Sequence, residues 1–197
     1  MIYLITNRKL ITKGSLSEVA EAAAKGGIGV IILREKDLNF HELLPIALDI
    51  KERIKNTNCK LIINSNIEVA REVKAHGIHF SYEYYVKEMP KFHGEIGVSI
   101  HSIKEAIEAE KMGASYLLAS PIFETQCKPG AEPKGIEFIK AIKEMVKIPV
   151  MALGGISLEN GKKVMEAGAQ GLAVMSAIMA AKDPYEVTCR FKDILKA

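Results

Sequence analysis

The amino-acid sequence predicts one (β/α)8 barrel, an α/β fold in which residues 1–197 form a single domain. Three observations predict it. Short apolar runs rich in Val, Ile and Leu recur eight times, each followed by a polar turn and a segment of helical period. The second run, residues 28–33, is continuous in apolar residues, as a strand buried on both faces should be. No composition break or linker divides the chain, which favours closure of like units over an open sheet.

The elements follow in order. Residues 2–6 form a strand, and the Ala-rich helix over 15–25 is closed by Gly26-Gly27. After the strand over 28–33 comes a long amphipathic helix over 40–55. Residues 60–63 and 67–74 make the third unit, and the short strand over 77–80 leads into an irregular segment over 81–93. A strand over 96–100 precedes a helix over 103–112, opened by Ser102 as N-cap with Glu105 completing a capping box. The strand over 116–119 carries the longest loop, 120–134, before a helix over 135–146. Strands over 149–153 and 171–175, with helices over 158–167 and 184–195, complete the eight. A small-residue turn recurs before three of the strands, at Ala75-His76-Gly77, Gly113-Ala114-Ser115 and Gly168-Ala169-Gln170, as a barrel of like units requires.

Composition narrows the function classes. A net charge of +3 is spread along the chain with no basic run, and Trp is absent, so a nucleic-acid surface is not expected. Cys59, Cys127 and Cys189 form no C-x-x-C pair, which excludes a disulfide framework and points to a reducing cytoplasm. The opening apolar run lacks a basic lead, and no stretch approaches the roughly 20 apolar residues of a membrane span. A cytoplasmic protein acting on a small molecule, with neither nucleic acid nor membrane as partner, is the expectation.

Barrel chemistry sits on the loops at the carboxyl ends of the strands. After strand seven, Gly154 and Gly155 let backbone approach a ligand; after strand eight, Met175 and Ser176 open a helix whose amides can face an anion. Together they read as a phosphate cradle. Arg34 and Lys36 follow strand two at period two, so both cations lean into one site. Asn64 ends strand three, His79 lies in strand four, and Ser99 and His101 end strand five. The strand-six loop adds Glu124, Thr125, Cys127 and Lys128, where the lone thiol is read as passive.

The segments Leu33-Arg-Glu-Lys, Ile62-Ile-Asn, Gly77-Ile-His, Gly97-Val-Ser-Ile-His-Ser, Pro121-Ile-Phe-Glu-Thr-Gln-Cys-Lys, Leu153-Gly-Gly-Ile and Ala173-Val-Met-Ser-Ala-Ile occur in this order along the chain. In combination they resemble the thiamin phosphate synthase and thiazole tautomerase superfamily. The resemblance implies a barrel of thiamin biosynthesis, and a homodimer. A synthase of this kind joins a pyrimidine diphosphate to a thiazole phosphate with magnesium and releases pyrophosphate; a tautomerase isomerises a thiazole carboxylate phosphate. The resemblance places the thiazole phosphate on Gly155, Met175 and Ser176 with Thr125 nearby, and the diphosphate and pyrimidine among Arg34, Lys36, Asn64, Ser99 and Lys128.

Two departures shape the functional expectation. Ser65 and Tyr84 stand where the synthases carry the aspartates that hold magnesium, and Pro121 stands where the tautomerases carry an acid/base histidine. The Phe123-Glu-Thr-Gln-Cys-Lys segment looks nearer the tautomerases. The expectation is therefore a tautomerase-like protein that binds a thiazole phosphate and moves a proton without metal or other cofactor, with Glu35, His79 and Glu124 as candidate acid/base groups. The alternatives are a divergent synthase, which needs magnesium, and a non-catalytic or regulatory thiazole-phosphate-binding protein.

Overall fold

The computed structural model describes residues 1–125 and 130–195. Strands β1 (Ile2–Ile5), β2 (Val30–Leu33), β3 (Lys60–Asn64), β4 (Gly77–Ser81), β5 (Glu95–Ile100), β6 (Tyr116–Ala119), β7 (Val150–Leu153) and β8 (Gly171–Val174) pair in chain order. Every pairing is parallel, and β8 closes on β1 through Tyr3 opposite Ala173. The predicted (β/α)8 barrel is the fold observed.

Alternation along each strand divides its side chains between two layers. Tyr3, Val30, Ile32, Ile62, Leu118, Met151 and Ala173 fill the barrel interior. Their neighbours, including Leu4, Ile31, Ile63, Val98, Leu117 and Leu172, face the helices in a larger apolar layer. Burial of one such Ile or Leu contributes on the order of 1.5–3 kcal/mol. The outer layer is made by α1 (Leu16–Gly26), α2 (Phe40–Ile54), α3 (Ile67–Glu72), α4 (Tyr82–Glu88), α5 (Ile103–Lys111), α6 (Gly135–Met145), α7 (Gly161–Glu166), α8 (Ser176–Met179) and α9 (Pro184–Ile194). Among the described residues, no helix is long and apolar enough to cross a membrane.

Local chemistry sets the helix ends. Ser15 and Glu18 form a reciprocal capping box on α1, and Asn39 with Glu42 does the same on α2. The box expected at Ser102 is only half formed. Ser102 accepts from Glu105 N at 3.2 Å, but the Glu105 carboxylate reaches back to His101 N at 2.6 Å instead.

Two segments depart from the sequence expectation. Residues 82–88 are helical, not irregular, because Ser81 caps Tyr84 N and Tyr85 buries its ring with its hydroxyl donating to Met112 O at 2.8 Å. The helix expected over 158–167 begins only at Gly161. Asn160 explains the delay: its side chain accepts from Ser157 N and donates to Gly155 O, at 2.9 and 2.8 Å, holding the preceding turn in loop form.

Candidate functional site

Parity decides what the end of β2 presents. Val30 and Ile32 point into the barrel, so Arg34 and Lys36 follow them inward and Glu35 falls on the opposite face. Arg34 and Lys36 line a cavity of about 710 Å³ at the carboxyl ends of the strands. Its apolar floor is Ile5, Ile32, Leu118 and Ala173.

The cavity gathers most of the residues expected from sequence. Arg34, Lys36, Asn64, His79 and Ser99 line it from β2 to β5, and Glu124, Thr125, Gly154, Gly155, Met175 and Ser176 line it from β6 to β8. Strand order places the two groups on opposite arcs of the mouth, with the loop after β1 between β8 and β2. Lys128 lies outside the described residues.

Glu35 is the exception and requires a correction. It is 6% exposed and does not line the cavity. Its Oε1 accepts from the Thr6 hydroxyl at 2.8 Å and Arg8 N at 3.1 Å; its Oε2 accepts from Arg8 Nη1 at 3.0 Å and Arg8 N at 3.2 Å. A carboxylate so engaged, facing away from the cavity, is not a general acid or base for anything bound there. Arg8 also grips Asp37 with both terminal nitrogens, at 2.7 and 2.9 Å, and Lys9 adds a third contact at 2.9 Å. Arg8 and Lys9 hold the Asp37 carboxyl well below the usual carboxylate range.

His79 is at the site but in a particular state. Its Nε2 lies 2.8 Å from Ser99 Oγ and its Nδ1 lies 3.1 Å from the Tyr116 hydroxyl. Burial, with Arg34 adding a smaller effect, lowers its pKa to about 3. The imidazole is therefore neutral near pH 7, with each nitrogen already partnered. Ser99, its partner at Nε2, lines the cavity with it.

The β6 and β7 loops are pressed together. Ile122 N donates to Leu153 O at 2.9 Å and Phe123 N to Gly154 O at 3.0 Å. Gly154 and Gly155 have φ of +100° and +63°. A Cβ on Gly154 would lie 2.8 Å from Pro121 Cα, and one on Gly155 only 2.5 Å from Glu124 O. Glycine is required here by backbone conformation and by space alike. On the neighbouring loop, α8 starts at Ser176 with no side-chain cap on its first turn, and Met175 and Ser176 line the cavity.

Residues 2–178 match the family described as thiamine monophosphate synthase. The chain belongs to this family. The thiamine-phosphate synthase of Syntrophomonas wolfei subsp. wolfei is 38% identical over 187 residues, 92% of this chain and 90% of that protein. The thiamine-phosphate synthase of Clostridium acetobutylicum is 37% identical over 203 aligned positions, 99% of this chain and 94% of its own. The solved thiamine phosphate pyrophosphorylase of Pyrococcus furiosus superposes with a TM-score of 0.87 at 32% identity, covering 99% of this chain and 95% of that one.

These likenesses correct the tautomerase expectation. It rested on local features, the segments over 123–128 and 100–111 and the replaced aspartates at Ser65 and Tyr84, whereas identity to thiamine-phosphate synthases extends over nearly the whole chain. Short segments are a weaker guide than the whole barrel.

Membership of the thiamine monophosphate synthase family implies magnesium, but the cavity offers few donors for it. Ser65 lines the cavity, but its hydroxyl accepts from the Asn64 amide at 2.9 Å. Tyr84 does not line the cavity; its ring stacks on Phe80 at 5.1 Å. Glu83 does not line it either, and Glu124 is the one carboxylate among the described lining residues. Among the described residues, no three His, Cys, Asp or Glu come together. Magnesium prefers hard anionic oxygens, so this set does not fit an ion held by protein carboxylates.

Sequence reasoning missed Asn7 and Ser81, which line the cavity, and Arg8, which anchors Glu35. Asn7 and Arg8 lie in the turn after β1, where no glycine or charge pattern flagged them. Ser81 was detectable, since it continues the inward alternation Gly77, His79, Ser81.

Proposed function

We propose that this chain is a thiamine-phosphate synthase that joins a pyrimidine diphosphate to a thiazole phosphate and releases pyrophosphate. The observation that carries the reading is the 37–38% identity to proteins of that name over 92–99% of the chain. The site supports it independently. Two anionic groups need two separated cradles, and the mouth has polar arcs on opposite sides of an apolar floor suited to flat rings.

On one arc, Gly154, Gly155, Met175 and Ser176 present backbone to the thiazole phosphate, with Thr125 beside them. On the other, Arg34, Lys36, Asn64 and Ser99 hold the diphosphate. As its bond to carbon breaks, negative charge grows on the departing oxygen, and fixed cations already aimed there lower that barrier. Neutral His79 keeps Ser99 oriented toward the same group. Glu124 belongs to the same arc as Thr125. No step here depends on a protein-held metal.

The test is direct. Mixing both substrates with magnesium should yield thiamine phosphate and pyrophosphate in equal amounts. No product at high enzyme concentration would remove the synthase reading. Saturable binding of the thiazole phosphate without turnover would mark a ligand-binding protein instead.

A further inference from the structure

We infer that Glu35 is a positioning residue: from behind the barrel wall it locks the turn after β1 to the end of β2 and so fixes Arg34 and Lys36 toward the diphosphate. The inference deepens the synthase reading and rests on it for the identity of the anion.

Thr6 is the pivot. Its oxygen accepts from Arg34 N at 2.8 Å while its hydroxyl proton goes to Glu35 Oε1 at 2.8 Å. One buried hydroxyl thus ties the backbone of one cavity cation to the carboxylate next to it, and Thr6 is 0% exposed. With both Glu35 oxygens engaged by Thr6 and Arg8, the peptide carrying Arg34 is held on one side by Thr6 and on the other by Glu35. Arg8 extends the lock forward, because its grip on Asp37 pins the chain just beyond Lys36. The same ties bring Asn7, between Thr6 and Arg8, to the cavity edge.

Buried charge-assisted hydrogen bonds of this kind hold geometry more stringently than neutral ones. Small misplacement of two cations costs affinity for a dianion steeply, since charge attraction and directed hydrogen bonds are lost together. Nothing in the set touches the cavity through Glu35 itself, so its influence on ligand must pass through Arg34 and Lys36.

The sign of the effect separates positioning from simple electrostatics. Glu35→Gln removes a negative charge near an anion site, and by charge alone should tighten anion binding. A lost lock weakens it. The probe is inorganic pyrophosphate, titrated calorimetrically into the full chain, with thermal unfolding recorded for each variant. Glu35→Gln and Thr6→Val should each weaken pyrophosphate about tenfold, about 1.4 kcal/mol. The double variant should be no worse than the poorer single one, because both break one device. Thr188→Val provides the control for lost stability: it removes a buried hydroxyl bond to Pro184 O on α9, and should leave pyrophosphate affinity within twofold.

Unchanged or tighter binding by Glu35→Gln would overturn the lock, as would equal weakening by Thr188→Val. No pyrophosphate binding by the unaltered chain would overturn the diphosphate reading along with it. Weakening confined to the Glu35 and Thr6 variants establishes the lock.

Discussion

The ring of Tyr116 occupies the space that a side chain at position 97 would need: a Cβ on Gly97 would lie 2.1 Å from Tyr116 Cζ and 2.5 Å from His79 Nδ1. Gly97 is thus the vacancy that lets Tyr116 reach His79, which in turn holds Ser99 at the cavity. Gly97→Ala should displace the ring and cost about 1–3 kcal/mol, as overpacked cores do. Urea denaturation checks the stability. A parallel loss of pyrophosphate affinity would show that the displacement propagates to Ser99.

Tyr116→Phe keeps the ring and removes only the hydroxyl beside His79 Nδ1. Leaving that buried nitrogen without its partner should cost about 1–3 kcal/mol. Equilibrium unfolding near pH 7 measures it, and no change would mean that the nitrogen finds another partner.

The depressed pKa of His79 makes stability depend on pH. The unfolded chain binds a proton at this residue below about 6.5, whereas the native state resists it down to about 3. The native state therefore binds fewer protons, and stability falls as the solution is acidified through that window. Between pH 7 and pH 5 the loss should be about 2 kcal/mol from this residue. Unfolding series for the unaltered chain and for His79→Gln should show a flatter dependence in the variant.

Arg34→Ala and Gly155→Val should separate the two arcs. The first should weaken pyrophosphate at least tenfold and leave thiazole phosphate within about twofold; tenfold corresponds to about 1.4 kcal/mol. Gly155→Val forces a β-branched residue to φ +63° against Glu124 O, and should reverse that pattern. Calorimetric titration of each ligand into each variant reads the outcome. Equal effects on both ligands would merge the arcs into one site.

The barrel was legible because its strands are apolar on both faces, a signal strong enough to survive errors at element ends. What escaped was decided by contacts distant in sequence. α4 has aromatic residues that favour strands, and becomes helical because Ser81 caps it and Tyr85 finds a pocket against Met112. Arg34 and Lys36 were found through their period-two spacing. The same spacing places Glu35 behind the wall, but its partners Thr6 and Arg8 lie 29 and 27 residues away, beyond any local pattern. The tautomerase expectation came from weighting a few local segments and the replaced aspartates at Ser65 and Tyr84 above the rest of the chain.

The contact between the β6 and β7 loops constrains how such a barrel can change. With the α-carbons of Gly154 and Gly155 set against Pro121 and Glu124, neither loop can gain bulk unless the other retreats. Substitutions there must arrive in pairs, whereas Asn64, Ser65 and Ser81 on the far rim are held by hydrogen bonds that polar replacements can keep. New substrates should therefore be won by altering that rim around a phosphate grip that stays as it is.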